Sequence, residues 1–124
     1  MSVRGIRGAI TVEHNEEQPI LDATIELLNG IVEVNQFEPE DIASVLVTVT
    51  QDLDATFPAR AIRQMAGWEL VPLMCSIEVP VKGSLEKCIR LMVLVNTDVA
   101  QKDIRHVYLN RAQALRPDLA ARSS

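Results

Sequence analysis

The sequence predicts an α+β domain in which a single mixed β-sheet is packed by one long helix and several short ones. The pattern order is strand, helix, strand, helix, strand, strand and short strand, with no repeat or linker to divide it. One apolar stripe at helical spacing is long enough to cover a sheet face. The run Cys88 to Asn96 is apolar on both faces apart from Arg90, as in a strand buried on both sides. At 124 residues the chain reads as one domain over 1–124, with about 120–124 as a flexible tail.

Val3 to Val12 reads as the first strand, with Ile6, Ile10 and Val12 on one face and Gly5, Arg7 and Ala9 on the other. After the polar stretch Glu13 to Glu17, apolar residues recur at Ile20, Ala23, Leu27, Ile31 and Val34, the spacing of an amphipathic helix. Pro19 belongs in its first turn, where a missing N–H is tolerated. Gln36 to Asp41 is a loop, and Ser44 to Thr50, rich in β-branched residues, is the second strand. Pro58 starts a short helix that runs to Ala66 and stops at Gly67, which places Arg60 and Arg63 on one helical face. Val71 to Ile77 is the third strand. Pro80 and Gly83 mark the loop before the Arg90 strand. A short extended piece near His106 to Tyr108 then leads into a helical turn that Arg116-Pro117 ends.

One layer of helices leaves the other face of the sheet uncovered. Because the Arg90 strand is apolar there too, that face predicts a second copy of the chain in a closed symmetric oligomer. Arg90 shares its face with Cys88, Met92 and Leu94. Arginine keeps its charge at any ordinary pH, and an unpaired buried charge is costly, so something negative must meet it. An internal carboxylate and a bound anion both satisfy that demand.

Composition narrows the partners. No apolar stretch reaches membrane-span length and no secretory pattern opens the chain, so a soluble cytoplasmic protein is expected. Cys75 and Cys88 read as free thiols, and with only His14 and His106 beside them no metal-ligand spacing occurs, so no metal is expected. Residues 1–54 hold eleven Asp/Glu against two Arg, residues 55–124 six against ten Lys/Arg, and the net charge is −5. Such a balance speaks against a nucleic-acid partner, which needs a basic patch. Nine of the twelve basic residues are arginine, whose fork suits carboxylates and phosphates. With one Trp, one Tyr and two Phe in the chain, Phe57, Trp68 and Tyr108 are the aromatic residues to follow.

The candidates for chemistry are Arg7, Arg63, Arg90 and Arg116 as anion donors, with Cys75, Glu78 and Tyr108 as polar groups. Each also has an ordinary role: Cys75 as a small hydrophobe, Glu78 and Arg63 as solvated surface charges, Tyr108 as a packed ring with a wet hydroxyl. No catalytic triad, phosphate loop or zinc spacing occurs. The residues by themselves reach an oligomeric α+β domain able to bind a small anion.

The segments Val3-Arg-Gly-Ile-Arg-Gly-Ala-Ile-Thr-Val12, Phe57-Pro-Ala, Trp68-Glu-Leu-Val-Pro72, Cys88-Ile-Arg90, Asn96-Thr-Asp98, Ile104-Arg-His-Val-Tyr-Leu109 and Leu115-Arg-Pro-Asp-Leu119 are more specific. In that order they resemble the small monofunctional chorismate mutases that form trimers, as distinct from the all-helical class. The resemblance implies a homotrimer with a pseudo-α/β-barrel core, active sites between subunits, and the Claisen rearrangement of chorismate to prephenate in phenylalanine and tyrosine biosynthesis, with no cofactor. It implies Arg90 at the breaking ether bond and Glu78 with the Cys75 region at the ring hydroxyl. Arg7 and Tyr108 would hold the side-chain carboxylate, Phe57 would come from the neighbouring subunit, and Arg63 and Arg116 would guard the mouth. Arg60, Met74 and Leu115 join the pocket wall. Arg60 stands where relatives often have lysine, and Met74 where some have a smaller polar residue. Cys75 and Glu78 are three apart, which a regular strand places on opposite faces, so both can line one pocket only if the chain leaves regular strand geometry between them. Two rivals keep the arginines with other functions: a trimeric imine deaminase, whose signature segments are absent, and a non-catalytic sensor of an aromatic acid.

Overall fold

In the computed structural model, which describes residues 1–115, the first alternating segment forms strand β1 (Ser2–Thr11). Ile6 and Ile10 are fully buried on one of its faces, and Arg7 and Ala9 lie on the other. Strands β2 (Ile42–Val49), β3 (Leu73–Ile77), β4 (Cys88–Thr97) and β5 (Val107–Leu109) complete one five-stranded sheet in the order β3-β2-β4-β1-β5. The central β4 runs antiparallel to both β1 and β2, while β3 and β5 pair in parallel at the two edges. The sheet is mixed, as expected.

Helix α1 (Glu17–Asn35) covers one face, burying Ile20, Leu21, Ala23, Thr24, Leu27, Leu28 and Ile31. Pro19 falls in its first turn. At the C-terminal end Gln36 adopts a left-handed φ of 53°, and its N–H bonds Val32 O at 2.7 Å. Close packing of helix on sheet depends on Gly8, where a Cβ would sit 2.6 Å from Ile31 Cδ1 and 3.1 Å from Leu27 Cδ1. Helix α2 (Ala59–Arg63) is shorter than the pattern suggested. Beyond Arg63 the chain continues as tight turns, Met65 N–H to Ile62 O and Trp68 N–H to Met65 O, with Gly67 at φ 87°. Those turns also delay β3 to Leu73, because Val71 N–H bonds back to Trp68 O.

Among the described residues, no helix crosses the opposite face. Ile89, Leu91, Val93 and Val95 of β4 are buried beneath α1, whereas Arg90, Met92 and Leu94 on the other side are half-buried. A small second core of Ala9, Cys88, Tyr108 and Ala112 closes one end of that side, where the 3₁₀ turn Asn110–Ala114 folds over it. Arg116 and the tail 120–124 lie outside the described residues. Among the described residues, no helix is long and apolar enough to cross a membrane.

Candidate active site

Register decides which side chains meet on the open face. Across β2, β4 and β1, Thr48 stands opposite Arg90, and Arg90 opposite Ala9. The next pairs along are Leu46 with Met92 and Met92 with Arg7. Tyr108 of β5 sits beside Ala9. Together these residues line a cavity of about 340 Å³ whose wall also includes Glu78 and Leu115. Five predicted site residues, Arg7, Glu78, Arg90, Tyr108 and Leu115, are therefore brought together.

Glu78 reaches this face because β3 keeps its alternation to the end and beyond. Met74 and Ser76 pair with Leu46 and Thr48 on the cavity side, and Glu78 N–H extends the ladder to Val49 O at 2.9 Å. Its carboxylate Oε2 accepts a hydrogen bond from Thr48 Oγ1 and lies 3.7 Å from Arg90 Nε. That separation suits an ion pair and is too long for a hydrogen bond. Arg90 Nε is also buried and finds no hydrogen-bond partner among the described residues. A buried guanidinium N–H left in this way is costly unless a further acceptor meets it. The side chain as a whole is 41% exposed and lines the cavity. Next along the strand, burial pushes the Cys88 thiol above its ordinary value, with a partial offset from the Arg90 guanidinium.

The other predicted residues fall elsewhere. Cys75 pairs with Val47 and so points to the helix side of the sheet, away from Glu78. The strand makes no bend between them, and the two do not share a pocket within one chain. Phe57, Arg60 and Arg63 belong to α2 and the turn before it, near the β3 edge, with Phe57 66% exposed and Arg63 exposed. Arg60 is held at 2.7 Å by both Glu17 Oε1 and Thr56 Oγ1. Met74 faces the cavity side but lies on the outermost strand, 67% exposed. Sequence reasoning missed Thr48, the donor that orients Glu78. Its place opposite Arg90 depends on the β2–β4 register, which no local pattern reveals.

The arrangement offers a dicarboxylate two arginines, a phenol and one fixed carboxylate around a cavity partly walled by Leu46, Leu91, Met92 and Leu115. Comparison with known proteins agrees with that chemistry. Residues 3–119 match the model of a family described as chorismate mutase type I. The chain is 52% identical to chorismate mutase AroH of Bacillus subtilis over 120 residues, covering 97% of this chain and 94% of that one. It is also 52% identical to chorismate mutase AroH of Thermus thermophilus over 118 residues, covering 94% and 96%. A solved chorismate mutase from Clostridium thermocellum superposes with a TM-score of 0.86 at 54% identity, covering 89% of this chain and 97% of the other.

Proposed function

Since the chain belongs to the chorismate mutase type I family and is a chorismate mutase, we propose that it rearranges chorismate to prephenate in the cavity around Arg90. The observation that carries this placement is Arg90 itself: its side chain lines the cavity of about 340 Å³, and its buried Nε has no hydrogen-bond acceptor among the described residues. In the rearrangement the ether C–O bond breaks as a new C–C bond forms, and negative charge grows on the ether oxygen. Arg90 donates to that oxygen. A preorganised donor in a site with little water stabilises the transition state more than the ground state.

Glu78, fixed by Thr48, accepts from the ring hydroxyl, while Arg7 beside Tyr108 takes the side-chain carboxylate. Leu115 closes one wall. Holding the enolpyruvyl arm over the ring lowers the barrier further, because the reacting carbons no longer need to find each other. No proton transfer or covalent intermediate enters this account.

The site is completed by a neighbouring copy in a homotrimer whose sheets make a barrel-like core. Two features support this. Phe57, Arg63, Met74 and Cys75 are exposed on β3 or on α2 and the turn before it, in a chain whose own cavity they do not line. The half-buried Leu94 and the 41% exposed Leu46 leave apolar surface on the uncovered sheet face. Phe57 of one copy then packs the ring bound by the next, with Met74 and the Cys75 region along the wall. Arg60 and Arg63 add positive charge near the substrate carboxylates. The enzyme acts in phenylalanine and tyrosine synthesis as a cytoplasmic protein. Purified protein incubated with chorismate is expected to form prephenate catalytically and to sediment as a trimer. Tight binding of chorismate without turnover would overturn the catalytic placement, and a fully active monomer would overturn the shared site.

A further inference from the structure

The cavity wall opposite Glu78 depends on β5, an edge strand of three residues that pairs on one side with Gly8, Ala9 and Ile10. So short a strand is weakly held by its ladder alone. Yet it carries Tyr108, lies beside Arg7 and leads to Leu115, all lining the cavity. Side-chain hydrogen bonds to β1 extend the pairing at both ends. Before the strand, Arg7 N–H donates to His106 Nδ1 at 2.9 Å, so an imidazole takes the place of a backbone carbonyl in the ladder. After it, Asn110 turns the chain at a left-handed φ of 56°. Its Nδ2 donates to Thr11 O, and Arg111 N–H donates to Thr11 Oγ1, each at 3.0 Å. Thr11 is buried, and the turn it holds leads to Leu115.

We infer that His106 and Thr11 are positioning residues of the mutase, clamping β5 at its two ends so that Arg7, Tyr108 and Leu115 stand where they bind substrate. The inference rests on reading this cavity as the chorismate site. Neither side chain lines the cavity, so each acts through its neighbours. Their bonds fall on the β1–β5 side, while Arg90, Glu78 and Thr48 belong to β4, the end of β3 and β2. Loss of a clamp therefore loosens the grip on substrate in its ground and transition states alike and leaves the charge at the breaking bond in place. Such a loss raises KM and spares kcat.

The test compares His106→Leu with His106→Asn and His106→Gln, and Thr11→Val with Thr11→Ser. The Asn oxygen can occupy the place of Nδ1, whereas the Gln oxygen falls nearer that of Nε2. Wild-type turnover of chorismate is measured first, since its failure would sink the reading of the site and not the clamp. Given turnover, His106→Leu, His106→Gln and Thr11→Val are each expected to raise KM roughly tenfold, as befits a part-buried N–H deprived of its acceptor, with kcat within about twofold. His106→Asn and Thr11→Ser restore the wild-type KM. An unchanged KM in folded His106→Leu and Thr11→Val, or a loss confined to kcat, overturns the inference. It is also overturned if the Leu, Gln and Val variants all fail to fold while Asn and Ser are normal, because the side chains would then serve folding alone.

Discussion

On the helix side of the sheet Ile6, Ile10, Val93 and Val95 are at most 1% exposed beneath Leu27, Leu28 and Ile31. On the other side Leu46 is 41% exposed, Met92 and Leu94 are half-buried, and a charged Arg90 stands among them. One strand, β4, contributes to both. Its odd-numbered residues belong to a packed core in which every lost methylene is felt. Arg90 belongs to a cavity where a donor is kept waiting for an acceptor. The contrast separates stability from chemistry within a single strand, and substitutions on the two faces are expected to move different observables.

The largest effect is expected on the covered face. Leu28→Ala removes a fully buried side chain and should cost about 2–5 kcal/mol of stability in denaturant melts, while turnover per folded molecule stays near normal. Loss of catalysis out of proportion to loss of folded protein would break the separation. On the other face, Arg90→Lys keeps a positive charge but not the forked donor geometry. It should lower kcat by about 10²- to 10³-fold, in line with removal of one transition-state donor, and leave the melting midpoint within a few degrees. Near-normal turnover would remove Arg90 from its proposed role. Thr48→Val sharpens the comparison on a smaller scale. It frees Glu78 by deleting one hydrogen bond, for which a loss of about 1 kcal/mol, roughly fivefold in kcat/KM, is expected.

The two faces also differed in how much of them could be read in advance. Periodicity is local, so α1 with Pro19 in its first turn, and the alternation of Ile6 and Ile10 against Arg7, were legible from residues a turn or a pleat apart. The apolar run around Arg90 likewise announced a charge in need of a partner. Which partner it has depends on contacts far apart in the chain. Thr48 reaches Glu78 across 30 residues, and Arg60 is tied to Glu17 across 43, through a register and a helix packing that no short pattern encodes. Cys75 and Glu78 illustrate the same limit. Their spacing already placed them on opposite faces, and β3 keeps that alternation, so the bend that would bring both to one pocket does not occur. The shortened α2 follows from the tight turns through Gly67, which close back onto Ile62 and Met65 before the helix can continue.

The smallest expected effect tests whether the open face is wet throughout. Cys88 shares that face with Arg90 but lies in the small core with Ala9, Tyr108 and Ala112, fully buried. Burial raises its thiol pKa above the ordinary 9.0. The folded state thus holds a proton that the unfolded chain releases once pH passes about 9, and by linkage the native state must lose stability as pH rises through that range. Below it both states are protonated and the contribution is complete. Cys88→Ser keeps the shape without the titration, so its stability should fall less steeply than that of the wild type as pH rises above about 9. Equal slopes in denaturant melts across that range would mean that water reaches Cys88. The dry end of the open face would then extend no further than Ala112, leaving Arg90 with a wetter neighbourhood than its proposed role requires.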